Sequence, residues 1–158
     1  MTEKTVNLNG PDHPDFILDD YPLYNLNRTS ATYIERMSEE LKKVNMDQPS
    51  WRVLMLLADK NPSTVGDLSR RSVTKISTIT RILMRMENEG LVKRQPYHKD
   101  NRVIEVHILE GGIKILSELR RLANEVYKEA FVGISDNDMI TFTNMLMKIR
   151  ENLGKNNA

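Results

Sequence analysis

The sequence predicts a mainly α-helical domain with a small β wing, and three observations carry this expectation. Apolar residues recur at steps of three and four over several long stretches, the spacing of amphipathic helices. Two helical stretches are separated by only three residues, 72–74, as in a helix-turn-helix. Two strand-like stretches around a basic loop follow directly. We therefore expect a winged helix-turn-helix flanked by long N- and C-terminal dimerisation helices.

The composition is that of one domain with its own hydrophobic core. The chain has 158 residues, of which 39% are hydrophobic and 28% charged. It contains no cysteine, which excludes disulfides, thiolate catalysis and cysteine-ligated zinc. The longest apolar run covers residues 53–58, well short of the ~20 residues of a membrane span. The first 20 residues lack the pattern of a secretory signal. We expect a cytoplasmic protein without membrane association.

The N-terminal part combines an arm with a long helix. Residues 1–19 are polar and interrupted by two prolines, so we expect a flexible arm, or one that docks on a partner through the apolar cluster 16–18. Helical spacing then runs over 20–45, with Pro22 in the first turn, where a missing N–H does no harm. We assign 20–45 to a dimerisation helix and 20–158 to a single domain.

Capping signals mark the next two helices. Asp47 is a suitable N-cap for a second helix, which Asn61-Pro62-Ser63 ends. Thr64 and Asp67 have the spacing of a capping box, which predicts a short helix over 65–71.

The helix predicted over 75–89 has two contrasting faces. We expect Thr74 to cap it and Gly90 to end it as the C′ residue. One arc carries the residues of a core stripe: Ile76, Ile79, Ile82, Leu83 and Met86. The opposite arc carries hydroxyl and guanidinium groups: Ser77, Thr78, Arg81 and Arg85, with Lys75 at the start. Such a face suits a DNA major groove, where hydroxyls and arginines bond to base edges and phosphates.

The wing and the C-terminal helices complete the predicted order. A strand over 91–95, a polar tip over 96–102 and an alternating strand over 103–108 form the wing, so the winged helix-turn-helix spans 47–110. A long helix follows from 111 to 131. A capping box from Ser135 to Asp138 begins a last helix, and we assign 111–153 to dimerisation.

Positive charge is concentrated in the predicted helix-turn-helix and wing. The chain has a net charge of +1, but residues 68–102 hold nine basic and three acidic side chains, a net +6 that leaves −5 for the rest. This asymmetry is typical of a nucleic-acid-binding module, although a solvated basic surface would look the same from charge alone.

Other polar residues carry less signal. The spacing of His13, His98 and His107 fits no metal-ligand motif. The carboxylate pairs Glu39-Glu40 and Glu87/Glu89 are interpreted as solvated helix faces rather than acid–base pairs. We therefore expect no catalytic residues, no metal, no cofactor and no enzyme activity.

Several stretches between Asp47 and Gly112 match one family. They are Trp51-Arg52-Val53-Leu54, Thr64 to Leu68, Ser77-Thr78-Ile79-Thr80-Arg81, Glu89-Gly90-Leu91-Val92-Lys93-Arg94 and Asp100-Asn101-Arg102. With these residues the chain resembles the MarR (multiple antibiotic resistance regulator) family of winged helix-turn-helix transcription regulators.

The resemblance implies roles for particular residues. Arg102, at the wing tip, would enter the DNA minor groove. Asp100 would orient the wing by pairing with Arg94 or Arg102. The other implied DNA contacts are Ser77, Thr78 and Arg81 to bases, Arg71, Lys75 and Arg85 to phosphates, and His98 and Lys99 from the wing.

The family commonly binds small aromatic or acidic compounds between its dimerisation helices and the winged domain, which implies an effector pocket. Its candidate residues are Tyr24, Arg28, Tyr33, Trp51 and Met55. The alternative is that Trp51 and Met55 are core residues and Arg28 is a surface or interface charge.

The resulting expectation is a DNA-binding transcription regulator, specifically a repressor. A homodimer would bind a pseudo-palindromic operator in double-stranded DNA, and an effector would release or modulate it. The alternative is a winged-helix module that binds a protein partner without binding DNA.

Overall fold

The computed structural model describes residues 6–98 and 100–154, apart from the side chain of Asn101. Its elements are, in order, α1 Pro22–Lys42, α2 Gln48–Asp59, β1 Ser63–Thr64, α3 Val65–Ser72, α4 Ile76–Asn88, β2 Val92–Tyr97, β3 Asp100–Ile108, α5 Glu110–Ala130 and α6 Asp136–Gly154. The predicted fold class, mainly helical with a small sheet, is confirmed. The chain forms two compact units, one ending at Ala123 and one beginning at Asn124. None of the described helices is long and apolar enough to cross a membrane.

Local hydrogen bonds hold the segment before α1. The backbone N–H of Asn7 donates to the carboxylate of Asp20 at 3.0 Å, and its side-chain amide donates to the carbonyl of Asp15 at 2.9 Å. A short 3-10 helix, Leu18–Asp20, then leads into α1. Asp20 is buried, whereas the predicted docking cluster leaves Ile17 and Leu18 half exposed. Docking of this arm on a partner stays a prediction.

α1 ends at Lys42, three residues before the predicted end, because a Schellman motif closes it there. The N–H of Met46 donates to the carbonyl of Leu41 at 3.0 Å, and the N–H of Asn45 donates to that of Lys42 at 3.2 Å. Asn45 adopts a φ of 53°, the left-handed conformation that asparagine tolerates better than most residues.

The hydrophobic core lies where α2 meets its neighbours. Asp47 caps α2 as predicted, since its carboxylate accepts the N–H of Ser50 at 2.9 Å. Trp51 is buried with 6% of its surface exposed, which the core interpretation anticipated. The fully buried apolar side chains of the first unit are Met37, Leu41, Val53, Leu54, Leu57, Leu68, Ile79, Leu83, Met86, Val92, Val106 and Leu119.

α3 begins with half of the predicted capping box. The hydroxyl of Thr64 accepts the N–H of Asp67 at 3.0 Å. The carboxylate of Asp67 pairs with Arg70 at 2.7 Å and Lys60 at 3.6 Å. The hydrogen bond from Arg70 is the main cause that lowers the pKa of Asp67. The carboxylate thus stabilises the first turn of α3 through ion pairs.

The turn between α3 and α4 differs from the prediction. Thr74 is not the N-cap of α4, because its hydroxyl donates to the carbonyl of Ser72 at 3.1 Å, and Lys75 takes the cap position without a side-chain bond. The N–H of Thr74 donates to the carbonyl of Ser69 at 3.0 Å, and Val73 adopts a left-handed φ of 54°. Thr74 therefore contributes to the C-terminal cap of α3, and α4 begins one residue later than predicted.

The wing is confirmed as an antiparallel hairpin, with longer strands than predicted. β2 continues to Tyr97 and β3 begins at Asp100, so little chain remains for the tip. The register shifts between Pro96 and Tyr97, where proline has no N–H for the ladder.

A third strand, β1, was not predicted. Ser63 lies opposite Val106 and Thr64 opposite Glu105, which makes β3 the central strand of the sheet. Two residues are too few to show the alternation by which a strand is recognised in a sequence.

Two glycines allow α5 to start against the end of α4. A Cβ on Gly112 would lie 2.3 Å from the carbonyl oxygen of Leu91, and one on Gly111 would lie 2.8 Å from that of Gly90. Gly90 itself ends α4 at a φ of 71°, as predicted. The Gly111-Gly112 pair is thus required by close backbone packing.

α6 belongs to the second unit. The hydroxyl of Ser135 accepts the N–H of Asp138 at 3.2 Å, which confirms the predicted cap. No described residue of α6 is buried, and its apolar stripe leaves Phe142, Met145 and Leu153 substantially exposed.

Candidate nucleic-acid interface

The inner face of α4 anchors it in the core. Ile79, Ile82, Leu83 and Met86 are buried, as predicted. The prediction for Ile76 is wrong, since this first residue of the helix is 58% exposed. It faces a groove of about 450 Å³ between the starts of α3 and α4 and strand β3.

The outer face of α4 offers polar groups to solvent. Lys75, Ser77 and Arg81 are exposed, and Thr78 is half-buried. Among the described residues, no hydrogen bond or ion pair occupies the side chains of Lys75, Ser77 or Arg81. Two cations and a hydroxyl group are therefore available on one surface, close to the start of the helix.

Arg85, by contrast, ties α4 to the start of α2. Its guanidinium donates to the carboxylate of Asp47 at 2.5 Å and to the hydroxyl of Ser50 at 2.8 Å. Although burial raises the pKa of Asp47, the hydrogen bonds from Ser50 and Arg85 outweigh it and lower this pKa. Arg85 thus fixes the distance between α4 and the α1–α2 junction.

Arg71 has a similar position on α3. Its guanidinium pairs with the carboxylate of Asp59 and donates to the carbonyl of Leu56 at 3.5 Å, at the end of α2. Its side chain is 27% exposed. The phosphate contacts expected of Arg71 and Arg85 stay predictions.

Glu87 fixes the wing to α4. Its carboxylate accepts the backbone N–H and the Nε–H of Arg94, both at 2.8 Å, and lies 2.7 Å from a terminal guanidinium nitrogen of that arginine. The hydrogen bond from the backbone N–H is the main cause that lowers the pKa of Glu87. The interpretation of Glu87 as a solvated face is therefore wrong. The sequence shows that Arg94 lies seven residues after Glu87, but it does not show which cation pairs with the Glu87 carboxylate.

The wing tip presents Arg102. Its side chain is 92% exposed and pairs with Asp100, whose carboxylate accepts the backbone N–H at 3.0 Å and the Nε–H at 3.1 Å. The hydrogen bond from the Arg102 side chain is the main cause that lowers the pKa of Asp100. Of the two partners expected for Asp100, the structure selects Arg102. His98 is exposed and stacks edge-on against Tyr97, whereas Lys99 lies outside the described residues.

The candidate effector residues occupy different surroundings. The guanidinium of Arg28 lies 5.5 Å from the ring centre of Tyr24, a cation–π contact on α1. Tyr33 and Met55 are partly exposed, and Trp51 is in the core. An effector pocket built from these residues stays a prediction.

The remaining polar residues show structural pairing. Glu40 is buried and pairs with Arg36 at 2.7 Å and Lys43 at 2.6 Å, so its interpretation as a solvated face is wrong. The ring of His107 bonds to the amide of Gln95 at 2.9 Å. Within the described ranges, no cluster of three or more histidine, aspartate or glutamate side chains could hold a metal ion.

Comparison with known proteins identifies the class. The model of the MarR family matches residues 46–104. The HTH-type transcriptional repressor IacR of Pseudomonas putida is 33% identical over 143 residues, which cover 90% of this chain and 86% of IacR.

Solved structures share the fold. A mutant MarR from E. coli complexed with operator DNA superposes with a TM-score of 0.74 at 21% identity, over 85% of this chain and 98% of that chain. Bordetella bronchiseptica BpsR, whose DNA binding is regulated by 6-hydroxynicotinic acid, superposes with a TM-score of 0.77 at 15% identity, over 85% of this chain and 96% of that chain.

The sequence match and the winged helix-turn-helix agree. The chain belongs to the MarR family, as the resemblance implied. It is a DNA-binding transcription regulator and not an enzyme. Neither the family nor these relatives support the alternative of a protein-interaction module.

Proposed function

We propose that α4 enters the major groove of double-stranded DNA while the wing tip reaches the adjacent minor groove. The observation that carries this proposal is that Lys75, Ser77 and Arg81 are exposed on the outer face of α4 and, among the described residues, make no side-chain hydrogen bond or ion pair. Arg81 can donate two parallel hydrogen bonds to one guanine, and Ser77 can bond to a base edge or a phosphate. The exposed guanidinium of Arg102 suits the negative potential of a narrow minor groove.

The other candidate contacts hold the backbone of the duplex. Lys75, at the N-cap of α4, and the exposed parts of Arg71 and Arg85 are assigned to phosphates, since a guanidinium has five N–H groups and can keep its internal ion pair. Thr78 is assigned to the major groove, and His98 and Lys99 to the backbone beside the wing.

We further propose that the protein acts as a homodimer on a pseudo-palindromic operator. The apolar stripe of α6 and the exposed Tyr33 and Ile34 of α1 are the surfaces assigned to the partner subunit. Two copies of α4 would then enter successive major grooves about 34 Å apart.

The proposed biological role is repression of transcription in the cytoplasm. Bound near a promoter, the dimer would block polymerase. The similarity to IacR, a transcriptional repressor, and to BpsR, whose DNA binding is regulated by 6-hydroxynicotinic acid, supports this role by analogy. A small aromatic or acidic effector would shift the dimer to a spacing that no longer fits the operator. The Tyr24–Arg28 pair is the candidate element of its site.

Selection of duplexes from a random pool tests the proposal. The wild-type protein should enrich one palindromic sequence. Sequences selected with Arg81→Ala should show a weaker base preference at one position in each half-site. The reason is that a lost bidentate base contact costs about 1–3 kcal/mol of discrimination between bases. An unchanged preference with uniformly weaker binding would assign Arg81 to phosphate. No enrichment by the wild-type protein would contradict the proposal.

A further inference from the structure

Ile76 is an exposed apolar side chain beside the polar outer face of α4. It is the first residue of α4 and is 58% exposed, although Ile79 and Leu83 further along the helix are almost completely buried. Burying such a side chain is favourable, so a ligand that covers Ile76 next to the proposed DNA-binding residues would gain free energy from the contact.

The next residue along the same side of the helix extends this apolar surface. The hydroxyl of Thr80 donates to the carbonyl of Ile76 at 2.9 Å, so its hydrogen bond is made within the helix. Both residues line the groove between α4 and β3, together with Val103 and Ile104 of the wing. The start of α4 thus presents aliphatic groups beside its polar face.

The charges around Ile76 indicate what would cover it. Lys75 and Ser77 flank it in the sequence and are exposed, and Arg94 and Arg102 line the same groove. Lys75 makes no side-chain ion pair among the described residues and Arg102 is 92% exposed, so a polyanion fits these two cations, and Ile76 adjoins Lys75 and Ser77 of the face assigned to DNA. In the major groove, the apolar group available to such a side chain is the C5 methyl of thymine.

We propose that Ile76 contacts the C5 methyl of one thymine in each half-site and is a specificity-determining residue. This inference rests on the proposed entry of α4 into the major groove. It predicts that the operator requires thymine, and not merely an A·T pair of either orientation, at the position facing the start of α4.

Replacement of thymine by uracil tests the contact, since uracil lacks only the methyl group. Each symmetric pair of thymines in the selected operator is replaced in turn, and the affinity is measured by fluorescence anisotropy. The wild-type protein should lose about fourfold per half-site at one position, the factor expected for one buried methyl group, and about 16-fold for both half-sites. Indifference to every replacement would overturn the inference.

Variants assign the effect to Ile76. Ile76→Ala should bind the thymine operator as weakly as the wild-type protein binds the uracil operator, and should not respond to uracil at that position. Ile76→Val should respond less than the wild-type protein. Met84→Ala, which shortens another exposed apolar residue of α4, should keep the full response. A full response in Ile76→Ala, or its loss in Met84→Ala, would overturn the assignment.

Two outcomes distinguish sequence-specific DNA binding by the protein from the methyl contact of Ile76. If the wild-type protein binds selected and random duplexes equally, the proposed function fails. If it binds the selected duplex tightly and ignores the methyl groups, only the inference about Ile76 fails.

Discussion

At the scale of single residues, Val73 combines an unfavourable conformation with almost complete exposure. It occupies the left-handed C′ position of the turn between α3 and α4, with a φ of 54°, and is 93% exposed. A β-branched residue is a rare occupant of that region, because its Cβ crowds the following carbonyl. Its side chain has almost no packing to compensate, so the strain is borne by the helix-turn-helix itself.

Substitution of Val73 should therefore stabilise the protein. Val73→Gly should raise the free energy of unfolding by about 0.5–1 kcal/mol, the left-handed penalty less the extra chain entropy of glycine. Thermal unfolding monitored by circular dichroism measures this. Asn45→Gly is the matched control at the Schellman motif of α1, and it should gain less, since asparagine tolerates this conformation. A loss of stability in Val73→Gly would contradict the account.

The wing tip makes a second prediction at this scale. Arg102→Ala should weaken operator binding about tenfold or more, because each subunit loses a minor-groove contact, while the melting temperature stays unchanged. Lys93→Ala removes the same charge from an exposed position of β2 away from the tip, and should weaken binding less. If Arg102→Ala and the wild-type protein bound the operator with equal affinity, the wing tip would not be part of the DNA interface.

Residues with a local signature were predictable from the sequence, and those defined by distant neighbours were not. Asp47 and Gly90 are cap residues whose roles depend on a few adjacent positions. Ile76 has the helical spacing of the core stripe, but it is the first residue of α4 and faces the groove beside the wing instead of a packing partner. Periodicity indicates on which face of a helix a residue lies. It does not indicate how far along the helix the neighbouring element packs against that face.

At the scale of elements, the ion pair of Glu87 and Arg94 sets the angle of the wing to α4. The carboxylate holds both the backbone and the guanidinium of Arg94, so β2 cannot pivot without breaking three contacts. The position of the wing tip relative to the outer face of α4 depends on this joint. The outer face of α4 and the wing tip can contact the major and minor grooves of one duplex at the same time only if their relative position is kept.

Protonation of Glu87 should loosen the joint. Since its pKa is lowered in the folded protein, the ionised form stabilises the fold fully above the ordinary value of 4.5, and this contribution is lost as the pH falls below it. Glu87→Gln should cost about 1 kcal/mol at neutral pH, and its melting temperature should approach that of the wild-type protein as the pH is lowered. Glu89→Gln, at an exposed carboxylate nearby, is the control. A difference that stays constant with pH would contradict the prediction.

The elements themselves were largely predictable. The order of helices and the wing followed from periodicity and caps, and errors at helix ends were at most three residues. β1 was missed because it exists only through pairing with β3, a contact between residues about 40 positions apart. The choice of Arg102 over Arg94 by Asp100 likewise depended on the fold, since both arginines were near in sequence.

At the scale of the whole molecule, the exposed stripe of α6 needs a partner. Phe142, Met145 and Leu153 present apolar surface that a second copy of the chain would bury. Met145→Lys should therefore dissociate the dimer in analytical ultracentrifugation and weaken operator binding by at least 100-fold, because two half-sites are no longer held together. Asn144→Lys adds the same charge on the other side of the helix and should remain dimeric. A monomeric wild-type protein that binds the full operator tightly would contradict this arrangement.

The most direct test of the proposed interface is the salt dependence of binding to the selected palindrome, measured by fluorescence anisotropy beside an unselected duplex. If α4 and the wing dock on DNA, one dimer should bind each palindrome, the preference for the palindrome should be about 10³ or more at physiological salt, and the log of the affinity should fall linearly with the log of the salt concentration. Equal affinity for both duplexes, or an affinity that does not change with salt, would contradict the docking of the outer face of α4 and the wing on DNA.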